Sequence, residues 1–308
     1  MFLLSVAAIL TKLLGIFRTA LLLYLIGDSE EYSELLSYIY IVQLFLLPFD
    51  YSFLNTLFTE LKFEKSIIKK LVYASFISLI ILGIILIYKG NLLYALLSVV
   101  YYIFALLGSI GILLLNRLRY FRFYFISSVT SSIVLLLSVF FVEFSVSMLY
   151  LGRIVSVFPL VMGVIFAHKK VLLSEESYTL EEILYKLVAS LKMNKTTVAM
   201  IALPLFLSVL SFNLTYYAYA LSVSGIVNTV LVRNSQLLTM ARISNSINLK
   251  NATYLFSLLS LASLGLPSQV YLIQSFDIVL LLRYVFFNSA ILLFLGGSDI
   301  EIAKNVAG

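Results

Sequence analysis

The amino-acid sequence predicts an all-α polytopic membrane protein with about ten transmembrane helices in two bundles, six plus four. Of its 308 residues, 62% are hydrophobic and only 12% are charged. Its mean hydropathy is +1.08, and its apolar runs recur with short polar breaks. About a quarter of the residues in a soluble chain are charged, and one spanning helix needs about 20 apolar residues. Ten spans therefore nearly fill this chain.

The apolar runs place the predicted spans at 2–26, 35–58, 71–88, 92–115, 123–142, 145–167, 197–219, 226–247, 253–273 and 276–296. The first run contains Lys12 and Arg18 and has no small-residue cleavage site before Asp28. We therefore interpret it as a span rather than a signal peptide.

The distribution of basic residues predicts the topology. Fifteen of the 21 lysines and arginines fall in segments 62–70, 117–122, 169–195, 242–250 and at 304, all on one predicted side. The opposite loops contain only Lys89, together with acidic residues such as Glu30 and Glu143. Because cytoplasmic loops are rich in lysine and arginine, we expect a multi-pass protein of the cell membrane with both termini cytoplasmic.

The longest predicted loop, about 168–196, divides the chain. We expect a first six-helix lobe at 1–170, a cytoplasmic linker at 171–196, and an incomplete second lobe of about four helices at 197–308. Within the linker, apolar residues recur at helical spacing between Thr179 and Leu191, while Glu181, Glu182 and Lys186 lie elsewhere. This pattern predicts an amphipathic helix at the membrane interface.

Six ionisable residues fall inside or at the ends of predicted spans and are the candidate substrate-binding residues: Lys12, Arg18, Asp50, Arg153, Arg233 and Arg283. A cation at the bilayer centre costs about 2.5–3.5 kcal/mol on insertion scales. Such residues therefore either extend to a head group or face a hydrated cavity. Arg153 and Arg283 are close enough to span ends for the first alternative.

Lys12 and Arg18 belong to a polar stripe on the first span, where small or polar residues recur at three- and four-residue spacing. We interpret this stripe as the lining of a cavity; alternatively, it packs on another helix and its cations pair with Asp50. Pro48 predicts a kink just before Asp50, which could act as counter-ion, coupling-ion ligand or proton carrier. The excess of cations favours an anionic substrate such as a phosphate.

Several classes of function lack support in the sequence. With no cysteine and a single histidine, His168, the chain offers neither disulfides nor a spaced metal-ligand set. It has no phosphate-binding glycine loop and no nucleophile elbow. We therefore predict no enzyme activity, cofactor or metal, and the basic residues beside spans do not indicate nucleic-acid binding.

Short motifs resemble those of one transporter family. The segment 11–20, TKLLGIFRTA, followed by Ile26-Gly27 and an acidic loop, resembles the opening helix of the MurJ-type lipid flippases of the multidrug/oligosaccharidyl-lipid/polysaccharide exporter superfamily. Segments 54–62 and 115–121 resemble the end of that family's second helix and the turn after its fourth. Segment 221–225, with Arg233 after it, resembles the turn into the eighth helix, although Val232 stands where the family has aspartate.

The resemblance implies two pseudo-symmetric lobes around a cavity that opens alternately to each side, with Lys12, Arg18 and Arg233 at substrate-binding positions. It implies a flippase for a lipid-linked sugar phosphate, of the oligosaccharide-lipid or lipid II type, in polysaccharide biosynthesis. Its partners would be that anionic lipid and the membrane lipids. The shortened second lobe leaves three alternatives: a minimal transporter, completion by self-association in a homo-oligomer, or a relic without transport. The alternatives are a small-molecule/cation antiporter, a non-transporting scaffold for envelope or glycosylation enzymes, and a membrane transferase.

Overall fold

The computed structural model describes residues 2–27, 29–50, 54, 65–117, 120–167, 179, 181–183, 185, 195, 198–199, 202–204, 215, 218–220, 272–273, 276–277, 282, 284–291 and 294–295. These residues are helical apart from turns and one short hairpin. The helices in chain order are α1 (Phe2–Leu25), α2 (Glu30–Leu46), α3 (Lys65–Tyr88), α4 (Leu92–Arg117), α5 (Phe121–Leu137) and α6 (Ser147–Ala167). Two 3-10 segments, Leu47–Phe49 and Ser138–Phe141, follow α2 and α5.

Helix α2 corrects the predicted second span at 35–58. It begins at Glu30 because Ser29 caps it: the Tyr32 amide donates to Ser29 Oγ at 3.4 Å and the Ser33 amide to the Ser29 carbonyl at 3.0 Å. Glu30 and Glu31 occupy the first turn, where the helix dipole favours negative charge. Acidic residues interpreted as loop are therefore the start of the helix.

The α-helix also ends earlier than predicted. Pro48 lies in the 3-10 segment Leu47–Phe49, and Asp50 follows with extended backbone, φ −62° and ψ 146°. Proline lacks the amide that an α-helix would bond, which accounts for the break at the predicted kink.

Other helix ends differ from the predicted spans by smaller amounts. Helix α3 starts six residues early because Lys65–Lys70 form its first turns rather than a loop. Helix α5 passes into the 3-10 segment Ser138–Phe141 within the predicted span. Helices α1, α4 and α6 match their predicted spans within two residues, a difference typical of boundary assignment.

By length and composition, four segments of the described chain could cross a membrane: Glu30–Phe49, Lys70–Tyr88, Leu92–Leu115 and Phe121–Phe141. The apolar stretches Leu13–Leu25 and Ser147–Met162 are shorter. The predicted seventh to tenth spans fall largely outside the described residues, and the eighth lies wholly outside them.

The chain forms two compact units. The first comprises Met1–Leu21 and Ser37–Leu191; the second comprises Leu22–Leu36 and Lys192–Gly308. Helices α1 and α2 each contribute to both. The predicted lobes at 1–170 and 197–308 and the linker at 171–196 stay predictions.

In the first unit, α6 packs against α4 and α5, and α3 packs against α4. Two glycines permit close approach. A Cβ on Gly108 of α4 would lie 2.6 Å from Val157 Cγ1 of α6, and a Cβ on Gly152 of α6 would overlap the side chain of Ser138. The Phe104 and Phe158 rings, with centroids 4.6 Å apart, fill the same α4–α6 interface.

The all-α class is confirmed for the described residues, which are helical apart from turns and one short hairpin at the end of the predicted ninth span and the start of the tenth. Strand β1 (Leu272–Ile273) pairs antiparallel with β2 (Phe276–Asp277), with Leu272 opposite Asp277 and Ile273 opposite Phe276. Antiparallel strands can be joined by a two-residue connection, which is the number of residues between β1 and β2. The described helical residues of the predicted tenth span are 282, 284–291 and 294–295.

The predicted amphipathic helix at 179–191 begins with a capping box. The Thr179 amide donates to Glu182 Oε2 at 2.8 Å, and the Glu182 amide donates to Thr179 Oγ1 at 3.2 Å. Ile183 is buried, whereas Glu181, Glu182 and Tyr185 are exposed. The start of this helix is therefore two-faced; its later turns lie outside the described residues.

Candidate functional site

The polar stripe on α1 is more buried than the apolar face of the same helix. Thr11, Gly15, Arg18 and Thr19 are partly buried, while Leu13 and Phe17 on another face are 54% and 68% exposed. Thr19 Oγ1 donates to the Gly15 carbonyl at 2.9 Å, so its hydroxyl bonds within the helix. One face of α1 is therefore polar and partly covered, and another is apolar and open.

Arg18 and Gly15 mark the middle of this stripe. The Nε atom of Arg18 is buried although the residue as a whole is partly exposed. One turn earlier, a Cβ added to Gly15 would meet none of the described atoms within 4 Å. Arg18 thus has a covered guanidinium nitrogen, while the position of Gly15 one turn away is not packed against other described atoms.

Asp50 lies where the α2 segment breaks. Its amide donates to the Leu47 carbonyl at 3.2 Å, and its carbonyl accepts from the Leu54 amide at 2.9 Å. The side chain is partly exposed. Asp50 is thus held by its backbone hydrogen bonds after the 3-10 segment, and the residue is partly exposed.

Arg153 occupies the second turn of α6, between Gly152 and the buried Ile154. Its carbonyl accepts a hydrogen bond from Ser156 Oγ at 2.7 Å. The side chain is partly exposed, and its place near the helix start allows it to extend towards a head group.

The structure places four predicted site residues, Lys12, Arg18, Asp50 and Arg153, in the first compact unit. Lys12 lies within α1, but its side chain is outside the described residues. Arg233 and Arg283 also lie outside them. Whether all six meet at one site stays a prediction.

Sequence patterns did not indicate a contact between the middle of α2 and the α3–α4 turn. Lys89 Nζ donates to Ser37 Oγ and lies 4.7 Å from the centre of the Tyr38 ring. The Asn91 amide donates to Tyr38 Oη at 3.1 Å. Gly90 has φ 99°, a backbone conformation that glycine adopts without strain. The lone lysine on the predicted outer side is therefore held against an aromatic face.

The second unit has a comparable contact. Tyr219 Oη donates to the Gly27 carbonyl at 3.2 Å, across 192 residues. The Tyr32 and Tyr219 rings are stacked, with centroids 5.9 Å apart, and both are buried. Gly27 has φ 60°. The turn after α1 is thus joined to the end of the predicted seventh span.

A buried line of hydroxyls runs along α4 in the first unit. Ser98 Oγ donates to the Tyr94 carbonyl at 2.6 Å and lies 2.7 Å from Tyr150 Oη of α6. Tyr102 Oη donates to the Ser75 carbonyl of α3 at 3.1 Å. Tyr94, Ser98 and Tyr102 recur every four residues, so they share one helix face. These bonds join α3, α4 and α6 by polar contacts inside an apolar bundle.

Two polar side chains of the second unit are buried without a hydrogen bond among the described residues. They are Thr215, through Oγ1, and Asn288, through both Oδ1 and Nδ2. Both residues have zero relative exposure. An amide buried without partners costs about 1–3 kcal/mol by protein mutational data, and native structures satisfy most such groups. Asn288 was not among the predicted site residues.

Comparison of the chain with protein-family models, with curated proteins and with solved structures finds no match.

Proposed function

We propose that this chain is a membrane transporter that moves a lipid-linked sugar phosphate across the cell membrane by alternating access. The substrate's phosphates bind the cations of the α1 stripe, and its lipid tail stays in the bilayer. Lys12, Arg18 and Arg233 bind the head group; Asp50, Arg153 and Arg283 complete the charged lining. No bond is made or broken.

The observation that carries this proposal is the environment of Arg18. A cation in the middle of an apolar helix costs free energy unless polar groups of the chain, water or an anion surround it. Its buried Nε, and the absence of described atoms within 4 Å of a Cβ added to Gly15, support a cavity along this face of α1. A guanidinium binds phosphate with two parallel hydrogen bonds.

The proposed architecture has ten spans in two bundles of the exporter-superfamily type, with both termini cytoplasmic. Two contacts support it. Tyr38 contacts Lys89, and Tyr219 contacts Gly27, and both contacts are compatible with an even number of crossings between the partners. The ten-span topology has two crossings in the first interval and six in the second, so both pairs lie on the outer side.

The test is movement of a fluorescent lipid-linked sugar phosphate in proteoliposomes. Each charge-assisted contact contributes about 1.5–3 kcal/mol, so Arg18→Ala should weaken head-group binding by about ten- to more than a hundredfold and thereby reduce transport. Arg18→Lys should also be impaired, since ammonium lacks the planar two-pronged contact. Lys12→Arg should keep its activity.

Arg122→Ala is the matched control, because Arg122 is an exposed arginine in the first turn of α5 and its loss changes the net charge equally. Normal transport by a Lys12, Arg18 and Arg233 triple alanine variant would refute the assigned site. If the unmodified protein moves no such lipid, the scaffold alternative is favoured; if it exchanges organic cations instead, the antiporter alternative is favoured.

A further inference from the structure

We propose that the lysine-rich end of α3 binds the head groups of anionic phospholipids, an interaction surface separate from the proposed transport site. We define this basic end by Lys65, Lys69 and Lys70, in the first turns of α3, and Arg117, the last residue of α4. The segment 60–70 contains four lysines and two glutamates, so that together with Arg117 it has three excess positive charges. An excess of this sign complements a negatively charged lipid surface.

Helices α3 and α4 bring these basic residues to one end of the first compact unit. A three-residue turn, residues 89–91, joins the two helices, and Tyr102 Oη of α4 donates to the Ser75 carbonyl of α3 at 3.1 Å. The helices are therefore antiparallel, and α3 before Ser75 extends in the same direction as α4 after Tyr102. Lys65 and Arg117 thus lie at the same end, opposite the turn.

The apolar surface of α3 places this end at the depth of lipid head groups. Its exposed apolar residues are Val72, Tyr73, Phe76, Ile77, Ile80, Ile81, Ile84, Ile85, Ile87 and Tyr88. From Lys70 to Tyr88 the helix rises about 27 Å, at 1.5 Å per residue, which is close to the hydrocarbon thickness of about 30 Å. Lipid chains therefore cover this surface, and Lys70 lies where the head groups begin.

Tyr73 connects the basic end to the lipid-facing surface. It is 71% exposed, and Lys69 and Lys65 lie four and eight residues before it, which places all three positions on one helix face. Tyrosine is enriched where the hydrocarbon meets the head groups, and lysines beside a span attract anionic lipids. A head group beside Tyr73 therefore lies next to the lysine positions of the same face.

Helices α3 to α6 offer these cations no acidic partner, since none of the four contains aspartate or glutamate. The cations do not serve helix stability either, because Lys65 lies in a first turn, where the helix dipole disfavours positive charge. At the opposite end of α3, Lys89 donates to Ser37 Oγ and lies against the Tyr38 ring. The two ends of α3 therefore differ in the charge that they present to lipid.

The experiment identifies the lipid beside each end of α3. The chain has no tryptophan, so Tyr73→Trp and Tyr88→Trp each introduce a single fluorescent reporter at an exposed position. Each full-length variant is placed in phosphatidylcholine vesicles, and quenching by brominated phosphatidylglycerol is compared with quenching by brominated phosphatidylcholine. Tyr73→Trp should show a preference for phosphatidylglycerol of about fivefold or more, the effect of a single basic residue near the surface. Tyr88→Trp should show little preference.

Further measurements on the Tyr73→Trp protein assign the preference to the basic end. Lys65→Gln combined with Lys69→Gln should remove most of it, whereas Lys89→Gln, at the opposite end, should leave it unchanged. Added salt should weaken the preference with every lysine in place, because salt screens exposed charges. Equal quenching by both lipids at Tyr73→Trp, an equal preference at both reporters, or a preference that salt and the lysine substitutions leave unchanged would overturn the inference.

Discussion

Glycine has opposite consequences at two positions of this chain. At Gly108 it allows α4 and α6 to touch, since a Cβ there would lie 2.6 Å from Val157 Cγ1 and valine is stiff about χ1. At Gly15 a Cβ would meet none of the described atoms within 4 Å. The first glycine serves packing, and the second lies beside open space in the proposed site.

A matched pair of leucine substitutions tests this difference. Gly108→Leu should destabilise the protein by about 1–3 kcal/mol because the helices must separate. Gly15→Leu should leave thermal stability unchanged or raised, since a helical glycine costs about 1 kcal/mol, but should block transport by filling the space. Thermal unfolding in detergent and the proteoliposome assay measure the two effects. A folded Gly15→Leu protein with normal transport would contradict the cavity at this position.

At the scale of single residues, the sequence identifies a charged residue within an apolar run, because a charge is costly in lipid. It does not identify a neutral residue whose role depends on burial. Arg18 was recognised as a candidate because a cation within an apolar run demands an explanation. Asn288 was not recognised as a candidate, because an uncharged amide within an apolar run costs little free energy when it has a hydrogen-bond partner. Only its complete burial, with no hydrogen-bond partner among the described residues, makes it noteworthy.

At the scale of elements, the sequence contained helix-start signals that hydropathy alone does not use. The serine before two glutamates at 29–31 and the Thr-x-x-Glu pattern at 179–182 both mark helix starts in the structure. Hydropathy placed the start of α2 five residues late because it scores Glu30 and Glu31 as loop. The interior of each apolar helix was predictable, since about 20 apolar residues leave few other structures in a membrane.

The hydroxyl line along α4 provides a prediction about helix packing. Ser98→Ala leaves the fully buried Tyr150 hydroxyl without Ser98, its partner among the described residues, and should cost about 1–3 kcal/mol. Tyr150→Phe should cost less, because Ser98 keeps its bond to the Tyr94 carbonyl. Thermal unfolding of the purified variants should therefore show a larger loss of stability for Ser98→Ala than for Tyr150→Phe.

The double variant Ser98→Ala with Tyr150→Phe is the informative control. Removing both partners leaves no unsatisfied group, so the double variant should be more stable than Ser98→Ala alone. Additive losses would mean that the Ser98–Tyr150 bond does not join α4 to α6 as the structure shows.

For the whole molecule, local patterns could not reveal which distant segments group together. Leu22–Leu36 belongs to the second compact unit although it lies within the predicted first lobe. The contact between Tyr219 and Gly27 joins residues 192 positions apart, and neither residue spacing nor the charge pattern predicts it. The basic-residue distribution predicts only the side of the membrane on which each loop lies.

The topology itself is testable at the two ends of one helix. Arg122, at the start of the segment Phe121–Phe141, and Glu143, just after its end, are both exposed. Because the chain has no cysteine, single cysteines at these positions report accessibility without background. An impermeant thiol reagent should label Glu143→Cys in intact cells and label Arg122→Cys only after permeabilisation. The reverse pattern would invert the proposed orientation.

The central claim, a hydrated cavity lined by one face of α1, is tested most directly by cysteine accessibility along that helix. Thr11→Cys, Gly15→Cys and Thr19→Cys place thiols on the polar stripe, while Leu13→Cys, Phe17→Cys and Ala20→Cys place them on the exposed apolar face. The account predicts that a charged, impermeant thiol reagent modifies the three stripe positions in the membrane and that the three apolar positions, facing lipid, stay unmodified. Equal modification of both faces, or of neither, would contradict it.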